Sequence, residues 1–369
     1  MQSHKILMKF LNLNIEKNKV FNLNSLQIFI FSFLICLSFY ALEGLLGIDR
    51  FYHPDSEYYL NFYSNIEFKD YLDDPFKVFK VDYLLITNLF NNNYYLLILL
   101  NFILYSLTNI LIYQKVFKRY HKRLDNLKLF FLFYILFLDP YRLHLSSHIL
   151  KETFIFSFII LIILSNKNII KLLSIIFIDS FRPNSWIYVL IFITYSNIKK
   201  LLKPKIIYAI LVLIVLSIAC IILTDQSLNK IIHYQFENII STLKEYYNRE
   251  MPVRVYDHVP DFKNYGFPVG FILKNITWPI MLLSGFFMLY VSSLIFKLLG
   301  IIMLLNNFLI YFITKKTFIS IGLLIILVMI SVYTSSFTSM FRYSYIAIHS
   351  SIIYFFLNLN IKNLGSISK

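Results

Sequence analysis

A set of cations, a set of groups able to take a proton, and a tyrosine pair fall where one reaction could use them all. The cations are Arg142, Lys151, Arg182, Arg254 and Arg342. Arg and Lys in a partly dry cavity bind phosphate or pyrophosphate strongly, and Arg adds a two-pronged fork. Asp55 and Glu57 stand in the run His53-Pro54-Asp55-Ser56-Glu57-Tyr58-Tyr59. A carboxylate near such a cavity can accept the proton of an attacking sugar hydroxyl. Asp55 is the first candidate for that base, Glu57 its rival, and His148 and Glu152 the next in line. Tyr58 and Tyr59 offer flat amphipathic faces to a sugar. Together these groups suit glycosyl transfer from a lipid-linked pyrophosphate donor, with the cations stabilising charge on the departing phosphate. Each also has a plain structural use. Arg and Lys near helix ends snorkel to the interface, Lys151 and Glu152 can pair locally to close a helix end, and Asp55 and Glu57 can be ordinary loop acids. What favours function is the cost of placing ionisable groups in a membrane region, where they usually mark a substrate or ion path.

The elements that must position these residues are membrane spans. Hydrophobic residues make up 58% of the chain, above the roughly 45–50% of an average soluble domain, and the mean hydropathy is +0.65. Apolar segments occupy about 25–47, 94–114, 127–140, 149–165, 169–181, 184–197, 206–224, 294–313, 317–335 and 344–361, giving an all-α bundle of about ten spans. With the N-terminus inside, the inner loops hold 20 of the 35 Lys and Arg and 2 of the 20 acids, a net of +18 that leaves −3 elsewhere. This asymmetry follows the positive-inside rule and puts both termini on the basic side. It also excludes a nucleic-acid surface: the basic clusters adjoin apolar spans, where they orient the chain and meet anionic lipid. The start of the chain lacks a small-residue cleavage site after its first apolar run, so no cleavable signal peptide is expected. Cys36 and Cys220 lie in apolar stretches without ligand or disulfide spacing and are expected as small core residues.

One membrane domain spans 1–369, with large outer loops at 48–93 and 225–293. The later part of the second loop, from Phe267 to Val291, is expected as an interfacial or re-entrant helix around Trp278-Pro279; two further spans turning near Gly285 are the alternative. Segments 127–140, 169–181 and 184–197 fall short of the about 20 residues a crossing needs, so their outer ends are expected to line a protein-walled cavity. Asp139-Pro140 is expected to end the third span. If helical, His144, His148 and Lys151 share one face. Arg182 falls between the fifth and sixth spans, and Arg342 between the ninth and tenth. All of these reach the outer side under the topology that the other charges fix.

These residues resemble the Wzy-type oligosaccharide repeat-unit polymerases of bacterial O-antigen and capsule assembly. The matching features are Pro54-Asp55-x-x-Tyr58-Tyr59, the run from Pro140 to His148-x-x-Lys151-Glu152, Arg182-Pro183, Arg342-Tyr343, and the long outer loop before the final spans. The resemblance implies a GT-C-like inner-membrane enzyme that joins undecaprenyl-pyrophosphate-linked repeat units on the periplasmic face, alongside a flippase and a chain-length regulator. No cofactor is expected, and a need for a divalent metal stays open. A GT-C glycosyltransferase using a polyprenyl-phosphate sugar, an O-antigen ligase and a lipid-linked glycan transporter are the competing readings. The absence of an internal repeat counts against the transporter.

Overall fold

The computed structural model describes residues 23–48, 89–120, 124–181, 262–267, 269–290, 294–314 and 337–358, with short pieces at 56, 86–87, 241, 323–324, 327–328 and 330–331. Every regular element among them is helical: α1 (Ser25–Leu45), α2 (Tyr94–Ile112), α3 (Asn126–Phe137), α4 (Pro140–Ser146), α5 (Glu152–Leu164), α6 (Asn168–Phe181), α7 (Val269–Ser284), α8 (Leu294–Thr314) and α9 (Phe337–Asn358). The described helices include three long and apolar enough to cross a membrane: Ser25–Leu45, Tyr94–Tyr120 and Leu127–Ser146. The expected segments at 184–197, 206–224 and most of 317–335 lie outside the described residues, as do most of both outer loops.

The helices fall into two units. The first holds α1 to α6 and the last turns of α8 and α9. Its α1 begins in a reciprocal capping box, in which the Asn24 side chain accepts from Gln27 N and the Gln27 side chain accepts from Asn24 N, satisfying two otherwise orphaned donors. α2 follows a tight turn at Asn91 and Asn92, both at positive φ, where Asn is better tolerated than most residues. Leu23 N donates to the Tyr113 hydroxyl at 2.9 Å, Asn109 Nδ2 to Ser32 Oγ at 3.0 Å, and Tyr40 meets the Phe102 ring. The residue numbers run in opposite order along the two helices, so α1 and α2 are antiparallel. α2 widens through one π-helical turn at Tyr113–Phe117 and continues to Tyr120. There the Tyr120 hydroxyl donates to the Phe356 carbonyl and Arg119 Nη1 to the Leu357 carbonyl at 2.8 Å, fastening the end of α9 beside the end of α2.

On α1 small and polar residues share the buried face with Ile28, and large leucines face outward. Ile28, Ser32, Cys36 and Glu43 form the buried seam of α1, while Leu26, Leu34, Leu37 and Leu45 are exposed. Thr108 Oγ1 donates to Ser157 Oγ at 2.9 Å between α2 and α5. Small and polar residues at helix contacts, with leucine outside, is the packing suited to lipid as solvent. In water the same outer face would be a large unpartnered apolar surface.

The second unit contains α7 and most of α8 and α9. In α7, Pro279 lies within the helix, and Asn275 Oδ1 accepts from the Ser331 hydroxyl at 2.6 Å. A turn at Gly285, φ +74, ends α7. The Asn307 amide donates to the Leu283 carbonyl, tying α8 to α7. At 16 residues, α7 is shorter than a full crossing, although the turn at Gly285 is the one a pair of spans would need.

Candidate functional site

The break between α3 and α4 builds the site. α3 ends at Phe137, and Asp139 caps a new helix, accepting from Arg142 N at 3.0 Å with Pro140 in the first turn. Proline is favoured there, because its missing N–H would be unused anyway. Asp139-Pro140 ends α3 as the sequence indicates, but the apolar path continues through α4 to Ser146. The polar groups freed at the break are satisfied inside the protein. The Tyr105 hydroxyl donates to the Phe137 carbonyl at 2.6 Å, and Arg142 Nη1 to the Leu136 carbonyl at 3.3 Å. Residues 141–150 are all buried, as irregular backbone at membrane depth must be.

α4 stops at Ser146, and the chain turns through His148 before α5 begins. His144, His148 and Lys151 are therefore not on one continuous helix face, contrary to the helical expectation. Asn101 Nδ2 clamps the His148 carbonyl at 2.8 Å, and Ser56 Oγ donates to the Ile149 carbonyl at 3.2 Å. The turn brings the two imidazoles together at 4.6 Å between ring centroids. Both face Glu43 in the last turn of α1. Glu43 Oε1 lies 2.5 Å from His144 Nδ1, and Oε2 lies 3.6 Å from His148 Nε2. All three residues are at most 5% exposed. A carboxylate at a helix C-terminus opposes the helix dipole, and a buried one needs a partner; the histidines and the Ser147 hydroxyl supply it.

The other residues singled out from the sequence have separate places. The Arg142 guanidinium lies between the Tyr105 and Phe156 rings, 4.1 and 4.4 Å from their centroids, and is buried. That setting joins α4 to α2 and α5, and differs from an arginine open to an outer cavity. Lys151 Nζ donates to the Phe181 carbonyl at 3.1 Å, closing the end of α6. Glu152 is buried in the first turn of α5, where a carboxylate favours the helix dipole. Arg342, in α9 of the second unit, stands 5.6 Å from the Tyr343 ring. Asp55, Glu57, Tyr58, Tyr59, Arg182 and Arg254 lie outside the described residues. Of the expected site residues, His148 is brought into the cluster, with His144 beside it. Glu43 is the group that sequence reasoning missed. It is the one acid between residues 25 and 47, and an ionisable residue inside a span is itself a functional signal.

No protein-family model, curated protein or solved structure matches this chain. The likeness to the repeat-unit polymerases thus rests on the sequence motifs, and the chemistry rests on the geometry of Glu43, His144 and His148. A hydrogen-bonded carboxylate with two imidazoles can accept, hold and pass on a proton. The same donor atoms, all within 4.8 Å of one another, can also ligate a cation.

Proposed function

We propose that the protein is a multi-pass enzyme of a bacterial inner membrane that polymerises undecaprenyl-pyrophosphate-linked oligosaccharide repeat units on the periplasmic side. The observation that carries this reading is the burial of Glu43 against His144 and His148 among membrane-type helices. The topology adds support. α1 and the α3–α4 path both begin beside basic clusters and both end at this cluster, which the charge pattern assigns to the outer face. Leu23 and Leu357 both meet the basic end of α2, in keeping with termini on one cytoplasmic side.

In this reading the acceptor hydroxyl oxygen attacks the anomeric carbon of the growing glycan. The bond from that carbon to the pyrophosphate oxygen breaks, and undecaprenyl pyrophosphate leaves with the bonding pair. The proton of the hydroxyl passes to the Glu43–His148 pair, with His144 holding the carboxylate in place. Arg182 is the cation proposed to meet the pyrophosphate, and Tyr58 and Tyr59 the sugar. A flippase would deliver the repeat units and a chain-length regulator would act beside the enzyme. Asp55 and Glu57 are the rival bases.

The test is Glu43→Gln, and separately His148→Gln, in a strain lacking the protein, with surface glycan resolved on gels. Losing a positioned base typically lowers turnover about 10²–10⁴-fold. The expected outcome is loss of the ladder at unchanged protein level, with single capped units remaining. A normal ladder from both variants moves the base to Asp55 or Glu57. Purified protein in liposomes that moves lipid-linked units without lengthening them would identify a transporter instead.

A further inference from the structure

We infer that Glu43, His144 and His148 form a binding site for one late first-row divalent cation of the zinc type. The donors are two imidazole nitrogens and a carboxylate. Imidazole suits zinc, copper, nickel and iron, whereas magnesium and calcium prefer oxygen donors throughout. Zinc sits about 2.0–2.2 Å from nitrogen and oxygen ligands, so neighbouring donors in a tetrahedral site lie roughly 3.4 Å apart. His148 Nε2 and Glu43 Oε2 are already 3.6 Å apart. His144 Nδ1 and Glu43 Oε1, at 2.5 Å, share a hydrogen bond; a cation would take the place of that proton and open the pair by about 1 Å, within the reach of a small side-chain rotation. The three donors come from separate, well-anchored pieces of backbone: the end of α1, the end of α4, and a turn clamped by Asn101. Three protein ligands leave the fourth position to water or another small ligand.

The binding itself is independent of the proposed transfer reaction; only its consequence rests on that reading. The ion occupies the lone pairs that accept the proton, so a loaded site is a closed base, and zinc is an inhibitor of the enzyme. The experiment titrates Co²⁺ into the purified full-length protein, follows the d–d absorption, and displaces the ion with Zn²⁺. One equivalent is expected to bind in a low-symmetry nitrogen–oxygen environment. Removing even a supporting partner of a metal ligand costs about 10–100-fold in affinity, so Glu43→Gln and His148→Gln should each weaken binding at least about tenfold. His349→Gln, which alters none of the three donors, should leave it unchanged. X-ray absorption of the zinc-loaded wild-type protein needs no variant and should show scattering from two imidazoles. No stoichiometric ion, no imidazole scattering, or unchanged affinity in both site variants would each overturn the site. None of these readouts depends on whether the protein makes polymer.

Discussion

Arg142 separates two roles that its sequence position leaves open. As a pyrophosphate ligand it would be dispensable for folding; in the structure it is an internal strut. Its guanidinium is sandwiched 4.1 and 4.4 Å from the Tyr105 and Phe156 rings. In a desolvated setting each such contact is worth about 1–2 kcal/mol. Its hydrogen bonds to the Leu136 and Tyr105 carbonyls are long, at 3.3 and 3.5 Å, and add about 0.5–1 kcal/mol each. Arg142→Ala should therefore cost roughly 3–5 kcal/mol, in the range for breaking a buried charged arrangement. For a unit of about 200 residues that corresponds to a fall in melting temperature of about 10 °C. Arg142→Lys should be intermediate, since the ammonium keeps its charge but loses the planar stack and the fork. The assay is thermal unfolding in detergent followed by fluorescence-detected size exclusion, run beside the glycan ladder. The reasoning is refuted if Arg142→Ala melts like the wild type yet makes no ladder, because the arginine would then act on substrate alone.

Other positions make equally concrete demands. Gly285→Ala should destabilise the second unit by more than the about 1–2 kcal/mol of a left-handed backbone, because φ is +74 and the new Cβ would lie 2.2 Å from the Gly300 carbonyl oxygen; Gly44→Ala, with nothing within 4 Å, is the neutral control in the same melting assay. Asp125→Ala should cost about 1 kcal/mol through loss of the α3 cap, since Asp125 Oδ1 accepts from Lys128 N at 2.8 Å. Partial burial pushes the Asp125 carboxyl up, but hydrogen bonds and charge from Lys128 outweigh it and hold the group below its ordinary 3.8. Its contribution is therefore complete above pH 3.8 and is lost as pH falls through the lower folded value. The melting gap between wild type and Asp125→Ala should be full at neutral pH and shrink in acid; a gap that widens in acid would reverse the sign.

Hydropathy marks α1, α2 and α3 to within a few residues, since lipid-facing helices must be apolar over their length. Asn24 and Gln27 form the capping box that begins α1, and its residues are plain in the sequence. Asp139-Pro140 is legible as a helix end, but its second meaning, the start of α4, depends on Tyr105 and Arg142 satisfying the carbonyls left behind. Tyr105 is remote in sequence, and the inward turn of the Arg142 side chain is set by the rings it packs between. The periodic spacing of His144, His148 and Lys151 suggests one helix face, yet the helix ends at Ser146, and Lys151 instead reaches the Phe181 carbonyl. Glu43 was hidden in another way. Its neighbours Ala41, Leu42, Gly44 and Leu45 read as span, and nothing local says which helix end it will meet. Only packing supplies that answer.

The position of Glu43 links the fold to the chemistry. A buried carboxylate near the C-terminus of a helix meets two penalties, desolvation and an opposing dipole. Both disappear if the residue is leucine, as at Leu42 and Leu45. Keeping the acid requires His144 in the last turn of α4, His148 on a clamped turn, and a broken helix between Phe137 and Pro140 to bring them there. Each of these features weakens a simple bundle. A buried polar cluster made from a helix break, a hydrogen-bonded turn and a helix end is far more than α1 needs to pack against α2, which the Ser32–Asn109 contact and the Phe102 ring already achieve. The cost is explained if the cluster's task is to bind a proton or a cation that water would otherwise hold.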